Sequence, residues 1–171
     1  LLELYLGGAR SGKSRLAEQR ALQSGLEKIY IATAAAGDAE MTARIAHHQL
    51  QREGQTWLTV ESPLALAETL KHYASSGRCL LVDCLTLWLS NALFAENEVW
   101  QRESEDLLTL LPELSGHIIL VSNEVGQGIV PLGEINRRFV DESGRLHQRI
   151  AAIADRVVFV TAGIEQVLKA G

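Results

Sequence analysis

The sequence predicts an α/β fold, a mostly parallel sheet with helices on both faces, organised as a single domain over residues 1–171. Three observations predict it. Short apolar runs rich in β-branched residues alternate with amphipathic segments along the chain. Two of those runs, RCLLVD and HIILVS, are nearly all apolar, as strands buried on both faces of a parallel sheet must be. The first run, LELYL, opens straight into a glycine-rich turn followed by a helical pattern, the strand–loop–helix order of a phosphate-binding unit.

Taken in order, residues 2–6 are the first strand. Leu16, Ala17, Ala21 and Leu22 recur at helical spacing across 15–23, with Gly25 as the stop. KIYIAT (28–33) is the second strand. Residues 38–53 read as a helix with acids in its first turn and Gly54 after its last. TWLTV (56–60) is a short strand. Ser62 and Pro63 are placed to start the helix PLALAETLKHYASS, the hydroxyl as cap and the proline at the first helical position. RCLLVD (78–83) is the best central strand and ends in a carboxylate. LTLWLSNALFA and VWQRESEDLLTLL follow as helices, HIILVS (117–122) as a strand, about 132–154 as a long helix, and RVVFVT as the last strand.

Sixteen Lys and Arg against 21 Asp and Glu give a net charge of −5, with no basic block. That argues against a nucleic-acid or anionic-membrane surface, because such affinity rests on many cationic contacts to phosphate. A local pocket for a small anion remains open. With no run of 18 apolar residues, no membrane insertion is expected, and a soluble cytoplasmic protein is the default. Cys79 and Cys84 flank an apolar strand and suit buried thiols better than a disulfide framework or metal site.

Gly7, Gly8, Ala9, Arg10, Ser11, Gly12, Lys13 and Ser14 spell GGARSGKS, which fits the phosphate-loop pattern G-x-x-x-x-G-K-[ST] between a strand and a helix. The glycines let successive backbone N–H groups face one anion, and the helix that follows adds its positive end. Lys13 would reach the β- and γ-phosphates and Ser14 would ligate Mg²⁺. Asp83, at the end of a buried strand, is placed to hold the hydrated metal as the second acid. SNEVG, after another strand, lacks the Lys and Asp of a guanine-recognition motif, having Glu124 and Gly126 there, so a regulatory GTPase is not expected.

The segment ARIAHHQLQR carries two adjacent histidines, which on a helix point about 100° apart and so cannot chelate one metal as an i, i+4 pair does. Met41, Ile45 and Leu50 form a modest apolar stripe with His48 at its edge, while His47 shares a side with Ala43, Arg44 and Gln51. Arg44 can approach either ring, and a nearby cation favours the neutral imidazole, which is a nucleophile for an α-phosphorus. A solvated helix face that merely contains histidines is the competing reading, and periodicity alone favours it.

GGARSGKS, YIAT, EMTARIAHH, the W-x-T-x-E of Trp57, Thr59 and Glu61, NEVGQGIVP and GRLHQRIAAIAD together resemble the bifunctional adenosylcobinamide kinase / adenosylcobinamide-phosphate guanylyltransferase family of cobalamin biosynthesis, from residue 2 to about 163. The resemblance implies two reactions. A nucleoside triphosphate, ATP or GTP, phosphorylates adenosylcobinamide. GTP then guanylylates an enzyme histidine, and the GMP passes to adenosylcobinamide phosphate. It also implies that His47 carries the GMP, and that the nucleotide touches Gly7 to Ser14, Ala32, Thr33, Ala34, His48, Gln49, Leu50, Gln51, Glu61 and Asp83. A RecA-like P-loop NTPase fold and a homotrimer are further implications. Ala34 stands where the family often has serine or another small residue, and alanine offers no side-chain hydrogen bond there.

Asn123, Glu124, Gly126 and Gly128 follow a strand at the expected ligand edge, as substrate contacts or as a turn needing positive φ. Gly144 is read as permitting close packing, His147 as a core or surface residue, His72 and His117 as lacking partners, and the tryptophans as core or interface anchors with no assigned role. The alternatives to the family's chemistry are a P-loop kinase of another small metabolite, with passive histidines, and a RecA-like module that switches on nucleotide binding.

Overall fold

The structure, a computed structural model, describes residues 1–34, 42–43, 46, 50, 56–96 and 98–171. Among these, the strands are β1 (Leu2–Gly7), β2 (Glu27–Ala32), β3 (Trp57–Glu61), β4 (Arg78–Asp83), β5 (His117–Asn123), β6 (Arg156–Thr161) and β7 (Ile164–Ala170). The helices are α1 (Lys13–Gln23), α2 (Leu66–Tyr73), α3 (Leu85–Phe94), α4 (Val99–Leu110) and α5 (Glu134–Ile153). The strands form one sheet in the order β3-β2-β4-β5-β1-β6-β7, parallel except for β7 against β6.

Strand alternation divides the core into two layers. Leu4, Ile29, Leu80, Val82, Ile118 and Leu120 point to the face covered by α2, α3, α4 and α5. Tyr5, Tyr30, Leu81, Ile119 and Val158 point to the face that α1 covers with Ala17 and Ala21. Two small residues on α1 let it lie close to the sheet, directly behind the phosphate loop. Trp88 and Trp100 join α3 to α4 in an edge-to-face contact at 5.2 Å, as core anchors.

On the α1 face, Glu3 is a fully buried carboxylate in the middle of β1. Arg20 of α1 clamps it with Nη2 at 2.7 Å and Nε at 3.0 Å, and His117 Nε2 of β5 lies 3.4 Å away. Burial alone would raise the carboxyl. The neighbouring His117 and Arg20 outweigh it and hold Glu3 at about 2. His117 therefore has a partner, contrary to the expectation from sequence, because β5 pairs beside β1 and brings the two side chains together.

Three local readings need correction. The helix after Ser62 begins at Leu66 and has no side-chain cap. The carbonyls of Pro63 and Leu64 are taken by Asn91 Nδ2 and Trp88 Nε1 of α3, and Ser62 Oγ pairs with Thr69 Oγ1, so the first turn cannot start at Pro63. Gly144 sits on the exposed side of α5 with nothing near a would-be Cβ, so close packing is not its role. Strand β7 was not expected. It returns through Ala162 and Gly163, both at positive φ, and its own side chains are exposed, so it leaves no apolar pattern. Among the described residues no helix is long and apolar enough to cross a membrane.

Candidate active site

The carboxyl ends of β1, β2, β4 and β5 border a cleft of about 1210 Å³. Its lining includes Ala9 to Ser14 of the glycine-rich loop, Tyr30, Ala32 and Ala34 from β2 and its exit, Asp83, residues at the start of α3, and Asn123 to Val125 after β5. This is the edge where a parallel sheet presents its loops and helix N-termini to a ligand.

The loop closes tightly. Gly12 lies at φ +95° and Arg10 at φ +54°, so the chain reverses within five residues and enters α1 at Lys13. Gly7 has no room for a side chain: a Cβ there would stand 2.5 Å from Ser11 Oγ and 2.8 Å from the Val160 carbonyl. From behind, Gly163 N–H donates to the Ser11 carbonyl at 2.7 Å, and a Cβ on Gly12 would meet Gly163 Cα at 3.2 Å. The β6–β7 turn therefore braces the loop, a role that no local motif signals. Lys13 is buried, with Nζ on the Gly8 carbonyl at 3.1 Å. Burial lowers its pKa, and Asp83 opposes that shift.

Asp83 reaches the cleft from the end of β4, where its Oδ2 accepts the Tyr30 hydroxyl at 2.8 Å. Ser14, at the start of α1, lines the same cleft. A hydroxyl and a carboxylate are hard oxygen donors that fit Mg²⁺. Two such donors suit a cation that keeps several waters and shares its remaining positions with a triphosphate.

The other sequence-derived positions divide. Ala32 and Ala34 line the cleft with methyl groups. Thr33 between them is fully buried, its Oγ1 donating to the Cys84 carbonyl at 2.7 Å and accepting from Cys84 N–H at 3.0 Å, so its side chain ties β2 to β4. Glu61 is exposed at the end of β3, level with Ala32 in the register and one strand beyond the cleft. Leu50 is helical and 62% exposed, and Thr42, Ala43 and Ala46 are likewise helical and exposed. His47, His48, Gln49 and Gln51 lie outside the described residues, as do Met41, Arg44 and Ile45.

Several cleft residues were not legible as site residues. Tyr30 and the α3 residues Thr86, Leu87 and Ser90 join the lining, and Asn123 Nδ2 donates to Thr86 Oγ1 at 2.9 Å. Cys84 is a free thiol at the cleft, raised by burial and by Asp83, while Cys79 is buried in the strand. Gly126 and Gly128 are not at positive φ, so that reason for glycine fails at both. His147 is buried on α5, its Nε2 2.6 Å from Ser122 Oγ and its Nδ1 3.9 Å from Glu124 Oε2.

A phosphate loop on the first strand, an acid at the tip of a strand two places away, and one parallel sheet define a P-loop nucleotide-binding protein of the RecA-like class. Two solved structures share that fold: a RadB recombinase (16% identity, TM-score 0.53, 93% of this chain and 73% of that one) and an ATPase of a bacterial type III secretion system (13%, 0.56, 97% and 56%). Residues 3–168 match the family model for cobinamide kinase / cobinamide phosphate guanyltransferase, and the chain belongs to that family. It is 59% identical to the bifunctional adenosylcobalamin biosynthesis protein CobP of Pseudomonas aeruginosa, covering 98% of this chain and 96% of that protein. It is 38% identical to CobU of Salmonella typhimurium and 36% identical to CobU of Escherichia coli, in each case over 96% of this chain and 97% of the relative.

Proposed function

We propose that one domain and one phosphate loop serve both reactions of this family: phosphorylation of adenosylcobinamide by ATP or GTP, and transfer of GMP from GTP to adenosylcobinamide phosphate. The observation that carries this reading is the cleft in which Lys13, Ser14 and Asp83 meet the exit of β2, the strand that leads into the segment holding His47.

In the guanylyl step the neutral His47 ring attacks the α-phosphorus, the bond from that phosphorus to the β-phosphate oxygen breaks, and pyrophosphate leaves into the phosphate loop. A phosphate oxygen of adenosylcobinamide phosphate then attacks the same phosphorus, and the histidine departs unchanged. The loop amides and Lys13 hold the charge that builds on the leaving pyrophosphate. Ser14 and Asp83 would hold Mg²⁺, which would supply positive charge to the bound triphosphate. His48, Gln49, Leu50, Gln51 and Glu61 complete the nucleotide's surroundings. The enzyme works in the cytoplasm as a homotrimer.

The test uses GTP labelled on the α-phosphate. After incubation with Mg²⁺ the denatured chain should keep the label, in a linkage broken by acid and stable to alkali, and His47→Ala should remove it. A wild-type chain that never takes up label would sink the covalent mechanism. Loss of label in His48→Ala but not in His47→Ala would move the nucleophile by one residue.

A further inference from the structure

We infer that Glu124 is the general base of the kinase reaction, taking the proton from the acceptor hydroxyl as its oxygen attacks the γ-phosphorus. The inference rests on the proposal that the phosphate loop serves both reactions, and it concerns the half for which no base has been assigned above.

Position comes first. A triphosphate on a phosphate loop is directional: the loop's lysine reaches the β- and γ-phosphates, while the helix that follows lies towards the α-phosphate. Here Lys13 Nζ is drawn back to the Gly8 carbonyl, at the beginning of the loop. The backbone N–H of Glu124 donates to the Gly7 carbonyl at 2.9 Å, which fixes Glu124 at that same end. Glu124 is among the residues that line the cleft with Lys13 and Ser14.

Chemistry narrows the choice. Three carboxylates line the cleft among the described residues: Glu18, Asp83 and Glu124. Asp83 accepts the Tyr30 hydroxyl and suits the metal. Glu18 is on α1, past Ser14, towards the α-phosphate. Of these three, Glu124 stands at the γ end.

Its carboxylate is also held in place. Oε1 accepts the Gly126 N–H at 2.7 Å, and Oε2 faces His147 Nδ1 at 3.9 Å, the imidazole being anchored on Ser122 Oγ through its other nitrogen. Burial lowers the pKa of His147. One oxygen is thus occupied and the other keeps lone pairs for a proton.

The hydroxyl oxygen forms a bond to the γ-phosphorus, the bond from that phosphorus to the β-phosphate oxygen breaks, and the nucleoside diphosphate leaves with that electron pair. The hydroxyl proton passes to Glu124 and then to water. Guanylylation of histidine needs no such base, since a neutral imidazole attacks without first losing a proton. The two reactions should therefore separate on this residue.

The experiment compares the full-length wild type with Glu124→Gln and Glu124→Asp. Kinase turnover is read as label passing from γ-labelled ATP or GTP to cobinamide, and guanylylation as α-label from GTP on the chain. Glu124→Gln keeps an oxygen for the Gly126 N–H and should lower kinase kcat by about 100-fold or more, the ordinary worth of a general base. KM for cobinamide should move little, and the ratio of kinase to guanylylation rates should fall by about the same factor. Glu124→Asp, which keeps the base but withdraws it, should retain more kinase activity than Glu124→Gln. Kinase turnover within about fivefold of wild type in Glu124→Gln would overturn the inference, and so would parallel loss of both reactions in both variants. If the wild type phosphorylates cobinamide but never takes up α-label, the covalent histidine is wrong and Glu124 is judged on kinase kcat alone.

Discussion

Acidification should destabilise this fold through Glu3 more than through any surface carboxylate, because Glu3 is fully buried on β1 and its charge is matched inside the protein. Its folded pKa of about 2 lies below the ordinary 4.5. A carboxyl that is lowered on folding contributes its stability above the unfolded pKa and loses it as pH falls through the folded one. Here the contribution is complete above about 4.5 and gone below about 2. The drop from 4.5 to about 2 corresponds to about 3 kcal/mol, of which about 2 is already lost at pH 3. Glu3→Gln removes that dependence. At pH 7 the variant should be about 3 kcal/mol less stable, since Arg20 and His117 lose the charge they surround. On going to pH 3 it should lose about 2 kcal/mol less than the wild type. Urea melts followed by circular dichroism at both pH values measure the two differences. If wild type and variant lose stability in parallel between pH 7 and pH 3, the buried cluster is not a source of acid sensitivity and the reasoning fails.

Three further outcomes follow from distances at the cleft. Gly7→Ala pushes a methyl against Ser11 Oγ and the Val160 carbonyl, and backbone cannot yield as a flexible side chain can; stability should fall by about 1–3 kcal/mol and affinity for a fluorescent GTP analogue by at least about tenfold. Asn91→Leu leaves the carbonyls of Thr33 and Pro63 without their donor, so a thermal or urea melt should show a loss of about 1–3 kcal/mol. Lys13→Ala removes the cation at the start of the loop and should lower both kinase turnover and guanylylation by about 100-fold or more. Persistence of either reaction in that variant would mean that the two do not share this phosphate loop.

What the sequence disclosed follows the reach of its signals. RCLLVD reads as a central strand ending at Asp83, and β4 has those bounds, because a strand buried on both faces has little choice but to be apolar throughout. The phosphate loop was legible because its glycines and lysine answer to backbone geometry within eight residues. The supports around it were not. Tyr30 meets Asp83 across 53 residues, and only the pairing of β2 with β4 makes them neighbours. Gly163 braces Ser11 from the turn that leads into a strand with exposed side chains, which has no reason to look like a strand in one dimension. Glu3 was read as part of an apolar run, yet its partners lie on α1 and β5, and nothing near it in sequence announces a buried charge. The histidine pair owed its reading to the resemblance, since helical spacing alone favoured a passive face.

One phosphate loop can support two transfers because the loop does not choose the phosphorus that reacts. Its amides and Lys13 hold a triphosphate in a fixed direction, and the reaction depends on which nucleophile meets it and where. Strand order sets those places. Along the carboxyl edge the ends fall in the order β2, β4, β5, β1, so Asp83 stands between the exit towards the His47 segment on one side and Glu124 on the other. Glu124 is fastened to Gly7, at the γ end, while Ala32 and Ala34, from which the chain continues towards His47, line the cleft on the far side of Asp83. In the proposed mechanism a base fixed on the β5 side need not compete with the histidine for the same phosphorus. The separation expected between Glu124→Gln and His47→Ala, one losing the kinase and the other the label, is the functional form of that arrangement of strands.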